Sequence, residues 1–99
     1  MSQRPEHLFL VTYDITDPKR WRRVFRLMKG YGEWVQLSVF QCRLSDRRHA
    51  EMTQLLDGII KDQADKVLIV DLGPADQVKP RFISLGERFD VVEKGPIIL

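Results

Sequence analysis

The chain of 99 residues reads as an α+β sandwich of ferredoxin-like type: an antiparallel sheet with two helices on one face. Three observations predict this. Strand-like apolar runs and two segments of helical periodicity follow one another as strand, helix, strand or strands, helix, strand, strand. Two helices suffice to cover one face of a sheet, which leaves the other face bare. The length is that of one domain, residues 1–99, and a chain of this size buries only about two-thirds of its unfolded surface. Packing against a second copy would therefore help it.

The first strand is His7–Ile15, short, rich in β-formers and apolar on both faces. Leu8, Leu10, Thr12 and Asp14 share one face, and Phe9, Val11, Tyr13 and Ile15 share the other. Asp17 then suits an N-cap and Pro18 the first helical position. Trp21, Val24, Phe25 and Met28 recur at i, i+3, i+4 and i+7, and Gly30 closes the helix. Residues 33–44 form a second β segment, with Val35, Leu37 and Val39 alternating against Trp34, Gln36, Ser38 and Phe40, and its length predicts a bulge or a split into two strands. Ser45 caps a second helix running to about Gln63, with Met52, Leu56, Ile59 and Ile60 inward and Gly58 weakening it. Lys66–Leu72 is the next strand, ended by Gly73–Pro74, and residues 78–85 are expected to add another. The tail, Val91–Val92 and Ile97–Leu99, is apolar and extended.

Net charge is +2, but residues 1–48 carry ten Lys/Arg against five Asp/Glu and residues 49–99 carry six against nine. Those halves of +5 and −3 favour a polyanionic partner for one surface. The single cysteine, Cys42, excludes an internal disulfide framework and suits a reducing cytoplasm. No signal peptide or membrane span is expected, the first apolar run being only Leu8–Val11.

The chemistry concentrates between residues 14 and 48. Asp14 closes the first strand, where it could ligate Mg²⁺, an ion that takes one or two carboxylates together with waters and phosphates. One aspartate per chain makes a weak site, and two across a twofold axis make a credible one. The alternative is a turn aspartate bonding amides near Thr16. Lys19, Arg20, Arg22, Arg23, Arg26 and Lys29 occupy the outside of the first helix with no acid between Pro18 and Gly32. A solvated helix normally mixes signs, whereas bidentate guanidinium groups suit phosphates. Nucleic-acid contact and an ordinary surface both remain open. Asp71 is a candidate second ligand or a strand-end turn residue. The segment 29–37 fails as an aromatic RNA-stacking motif, because Glu33 stands where a ring is needed and aligning Trp34 requires a slip that reverses the sheet faces.

Tyr13-Asp14-Ile15, the arginine-rich helix, Tyr31-Gly32, and then Val35, Gln36, Ser38, Val39, Phe40, Cys42 and Leu44 together resemble the small CRISPR-associated endonuclease family. Its members are dimeric, ferredoxin-like partners of the CRISPR integrase. The resemblance implies that Asp14 is the catalytic, metal-binding aspartate facing its twin across a dimer interface, with Ser38 and Phe40 lining that interface nearby. It further implies a Mg²⁺ cofactor, with Mn²⁺ as a substitute, and a C-terminal strand near Ile97–Leu99 added to the partner's sheet. The substrate would be single-stranded RNA or double-stranded DNA, and the setting spacer acquisition. The competing role within the family is a non-catalytic scaffold that holds duplex DNA for the integrase. A small-molecule-sensing dimer is a third reading, and it leaves the arginine helix without a role. Trp34, where the family often has a basic residue, and the Val70-Asp71-Leu72-Gly73 strand end depart from the family pattern and bear on substrate preference.

Overall fold

The computed structural model describes residues 4–86. The elements run β1 (His7–Asp14), α1 (Pro18–Lys29), β2 (Glu33–Gln36), β3 (Val39–Leu44), α2 (Asp46–Ile59) and β4 (Lys66–Pro74), followed by a 3₁₀ turn at Ala75–Gln77. Neighbouring strands pair antiparallel in the order β2-β3-β1-β4. This is the expected α+β, ferredoxin-like arrangement, with the strand predicted over 33–44 split into a hairpin. No described helix is long and apolar enough to cross a membrane.

Alternation along β1 decides where the core sits. Phe9, Val11, Tyr13 and, just beyond the strand, Ile15 point to the helices, where they meet Val24 and Met28 of α1, Phe40, Cys42 and Leu44 of β3, and Met52 and Leu56 of α2. Each large apolar side chain buried in this way contributes about 1.5–3 kcal/mol. Phe40 is fully buried, its ring centroid 5.6 Å from Phe25 and 6.4 Å from Tyr13. Burial pushes the Cys42 thiol up to about 12, which makes it an inert apolar filler. The Tyr13 hydroxyl is buried without a hydrogen-bond partner among the described residues, and burial raises its pKa to about 12.

The helices begin as their caps dictate. The Asp17 carboxylate accepts the Arg20 amide at 2.9 Å, and the Ser45 hydroxyl accepts the Arg48 amide at 3.1 Å. Gly30 ends α1 in a right-handed conformation, so it is not the left-handed cap that a glycine there suggests. The second helix stops at Ile59 rather than near Gln63. Ile60 is extended, and the Asp65 carboxylate accepts the Lys61 amide at 2.9 Å, which replaces the next helical turn by a tight loop.

Three other expectations need correction or fall outside the described residues. The hairpin reverses at Leu37–Ser38, so Val35 and Leu37 do not share a face: Val35 is buried, whereas Leu37 is 73 % exposed with φ 37°. Residues 78–85 form no strand. Pro80 lacks the ladder donor, and the chain instead folds back, with Val78 and Pro80 lining a cleft with Leu8, Gln41 and Arg43. Arg43 holds that crossing by bonds to Glu6 and Asp76 at 2.8 and 2.9 Å. Val91–Val92 and the proposed partner-added strand Ile97–Leu99 lie outside the described residues.

Gly32 is where β2 must enter alongside β3. A Cβ there would lie 2.5 Å from the Gln41 carbonyl oxygen and collide with the Cys42 sulfur. Neither group is a flexible side-chain end that can swing away. Gly32→Ala is expected to destabilise the fold by about 1–3 kcal/mol, lowering Tm by roughly 4–8 °C per kcal/mol. Thermal unfolding followed by circular dichroism checks this, and an unchanged Tm would contradict the close approach.

Candidate functional site

Asp14 ends β1 on the sheet face that the helices do not cover, and its carboxylate is exposed. The register sets its surroundings. Lys66 pairs with Asp14, Leu68 with Thr12 and Val70 with Leu10, so all six residues share that face. Leu68 is 61 % exposed and Val70 37 %, large values for apolar residues on adjoining positions. The Asp14 carboxylate makes no hydrogen bond or ion pair with any described residue. No cluster of three or more His, Cys, Asp or Glu able to hold a metal occurs among the described residues either. On this face Asp14 thus offers a hard-oxygen ligand without a partner among the described residues, beside an apolar patch and a lysine.

The expected neighbours of Asp14 divide. Ser38 lies close by, since its carbonyl accepts the Tyr13 amide at 3.1 Å, but its hydroxyl is turned to α1, accepting from Trp21 Nε1 at 2.9 Å. Phe40 does not line an exposed surface. It pairs with Val11 on the helix-facing side of the sheet and is fully buried, so the implied interface role is corrected here. Asp71 does not join Asp14. It pairs with Phe9, on the other sheet face and five residues back along β1, about 16 Å at a rise of about 3.3 Å per residue. Its carboxylate accepts from His7 at 2.8 Å and from the Gly73 amide at 2.9 Å, and the His7 bond first, then the amide, holds its pKa below the usual value. Leu8 is also withdrawn from the open face, buried by the chain itself. Leu68 and Val70 take its place, which sequence reasoning missed because the facing of β4 depends on its register against β1.

The arginine helix divides as well. Lys19, Arg22, Arg23 and Arg26 are exposed and make no ion pair with any described residue. Arg20 does not belong with them. Its Nε donates to Asp65 at 2.8 Å and a second guanidinium nitrogen donates to the same carboxylate at 3.3 Å. Asp65 is 6 % exposed and sits one residue before Lys66, so this fork ties the start of α1 to the start of β4. Both elements flank Asp14. The Arg20 hydrogen bond, followed by the Lys61 amide, lowers the Asp65 pKa.

A lowered folded-state pKa means that Asp65 contributes stability above its unfolded value of about 3.8 and loses it as pH falls through that range. Arg20→Gln strands a buried carboxylate and removes most of the stability that Asp65 loses on protonation, so the fall of Tm with acid should become shallower. At neutral pH it should lower Tm by more than Arg22→Gln, Arg23→Gln or Arg26→Gln. Melting curves across pH for the four variants check this, and four equal Tm values would return Arg20 to the exposed set.

Comparison with known proteins completes the picture. The model of the family described as CRISPR associated protein Cas2 matches residues 7–79. A Rhodospirillum rubrum protein named CRISPR-associated endoribonuclease Cas2 1 is 52 % identical over 95 % of this chain and 92 % of its own length. One from Geobacter sulfurreducens, named CRISPR-associated endoribonuclease Cas2, is 48 % identical over 95 % of this chain and 99 % of its own. Among solved structures, Cas2 of Streptococcus pyogenes superposes with a TM-score of 0.66 at 32 % identity, covering 80 % of this chain and 99 % of that one. A hypothetical protein of Thermus thermophilus gives 0.69 at 32 % identity, over 83 % and 93 %. With its fold, its strand-end aspartate and its arginine helix accounted for, the chain belongs to the Cas2 family of CRISPR-associated proteins.

Proposed function

We propose that this protein is a homodimeric, metal-dependent endonuclease of the CRISPR system, acting in the cytoplasm on RNA or DNA phosphodiesters during spacer acquisition beside the integrase subunit. The observation that carries the reading is the position of Asp14, a carboxylate without a partner among the described residues, at the edge of an apolar sheet face that the helices leave uncovered and next to a helix whose Arg22, Arg23 and Arg26 make no ion pair with any described residue. Leu10, Leu68 and Val70 favour burial against a second copy, and a twofold contact there sets two Asp14 carboxylates near one another. The names of the relatives support endonuclease chemistry and favour RNA.

Two such carboxylates suit Mg²⁺, with Mn²⁺ as a substitute, by their hard oxygens and by leaving room for water and phosphate. When bound, the ion would activate a water and neutralise charge on the pentacoordinate phosphorus. The chain's own residues do the rest. Asp14 holds the ion, while Arg22, Arg23, Arg26 and Lys19 hold the flanking backbone by contacts that carry no base information. Lys66, across the strand pair from Asp14, adds a positive charge beside the phosphate. A second reading, a scaffold that only holds duplex DNA, is favoured by the absence, among the described residues, of any cluster of three or more His, Cys, Asp or Glu around Asp14.

A nuclease assay on single-stranded RNA and duplex DNA, with Mg²⁺, Mn²⁺ or EDTA, separates them. Metal-dependent cleavage that falls by about a hundredfold or more in Asp14→Asn, with the dimer retained, is the expected result. Equal cleavage by both proteins would point to a contaminant, and tight duplex binding without cleavage would establish the scaffold.

A further inference from the structure

The register that sets the open face puts a charge of opposite sign directly beside Asp14. Lys66 begins β4 as the antiparallel partner of Asp14, and residues so opposed hold their Cβ atoms about 4.5–5.5 Å apart on one face. Both side chains are exposed, and the flexible four-carbon stem of a lysine spans that gap. The other acids of this corner are engaged elsewhere. Asp65 precedes Lys66 in the chain, but its carboxylate is buried and taken by the Arg20 fork and the Lys61 amide. Asp17 accepts the Arg20 amide and lies 3.8 Å from the Arg20 guanidinium. Lys66 itself makes no ion pair with any described residue. Its ammonium is therefore available, and the carboxylate set across the strand pair from it is that of Asp14.

The affinity of a hard-oxygen site for a divalent cation follows the negative charge that its ligands collect. Here every Asp14 comes with its own Lys66. Each chain brings one negative and one positive charge, and a second copy enlarges the cluster without changing its sum. A cation entering such a site meets a carboxylate and a repelling ammonium together. A phosphodiester reverses that balance. Its charge draws the ammonium to itself, which leaves the carboxylate to the ion, and it adds oxygens of its own. The alternative, that the pair only steadies the β1–β4 ladder, predicts an effect on stability and none on cation binding.

We propose that Lys66 is the built-in counter-charge of Asp14: it keeps the free protein from holding a divalent cation tightly and makes entry of the ion depend on a bound phosphate. The inference rests on the reading of Asp14 as a metal ligand and adds an order of binding to it, the ion arriving with the nucleic acid or after it. Coupling of this kind is reciprocal, so the ion tightens nucleic-acid binding by the same factor.

The test titrates Mn²⁺ into the protein at low ionic strength without nucleic acid, reading the free ion by electron paramagnetic resonance. One unit charge about 6 Å from a divalent ion in water changes its binding about tenfold. Lys66→Gln should therefore bind Mn²⁺ about tenfold more tightly than wild type, and Lys66→Met, which keeps the apolar stem, should do the same. Lys66→Arg keeps the charge and should bind as wild type does. The gain should vanish when Asp14→Asn is added to Lys66→Gln. Circular dichroism melts and light scattering establish that each variant is folded and assembled as wild type is. In a second measurement, Mn²⁺ should raise the affinity for a labelled phosphorothioate-linked oligonucleotide more in wild type than in Lys66→Gln, and an equal rise in both would overturn the order of binding. Equal Mn²⁺ affinities in wild type, Lys66→Gln and Lys66→Met, all above that of Asp14→Asn, would overturn the counter-charge and leave the Asp14 reading standing. Equal affinities in all of them, Asp14→Asn included, or a gain that persists in the double variant, would overturn both.

Discussion

The central strand, β1, is apolar on both sides, yet the two described helices cover only one of them. Phe9, Val11 and Tyr13 meet α1 and α2 and are buried, whereas Leu10, Thr12 and Asp14 are left with neighbours on β4 that are themselves open, Leu68 at 61 % exposure among them. The segment after β4 folds back only far enough to cover Leu8, held by Arg43 through Glu6 and Asp76. The remaining half of the face has the composition of an interface and the chemistry of a site at its end. On the proposed reading dimerisation and catalysis would share one cause: burying the apolar half would bring the carboxylates together.

Charge is arranged by the same economy. A run of cations on one helix would repel itself if all its members faced water together, and it does not do so uniformly. Arg20 is turned inward to a buried aspartate, fixing the helix start against the start of β4. The others remain available to an anion. Such a buried fork is not strong evidence for net stability, because removing two charges from water offsets much of their attraction. Its worth is positional, since it joins the two elements on either side of Asp14. Trp21 reinforces the same corner by its bond to Ser38, which in turn accepts the Tyr13 amide.

Much of this was legible in the sequence because the signals were local. Caps at Asp17 and Ser45, period-two alternation along β1 and the Trp21–Met28 stripe placed the first three-quarters of the fold, and the family resemblance rested on residues in that same stretch. The errors came where a long-range partner decides. Residues 78–85 have strand composition, but Pro80 lacks a ladder donor, Val78 and Pro80 line a cleft with Leu8 and Arg43, and Ile83 and Leu85 stay exposed. Phe40 sits next to the site in sequence terms, and only its pairing with Val11 shows that it faces the core. Arg20 is indistinguishable from Arg22 along the helix until Asp65, 45 residues away, is brought beside it. Leu68 and Val70 became part of the open face only through their register.

The proposed activity requires that one catalytic site draw Asp14 from two chains. Differently tagged wild-type and Asp14→Asn subunits, co-expressed and purified through both tags, give a dimer with one carboxylate at the shared site. Its metal-dependent cleavage rate is the measurement. A shared site predicts that this mixed dimer is as inactive as the Asp14→Asn homodimer, whereas half the wild-type rate would show that each chain carries a complete site of its own.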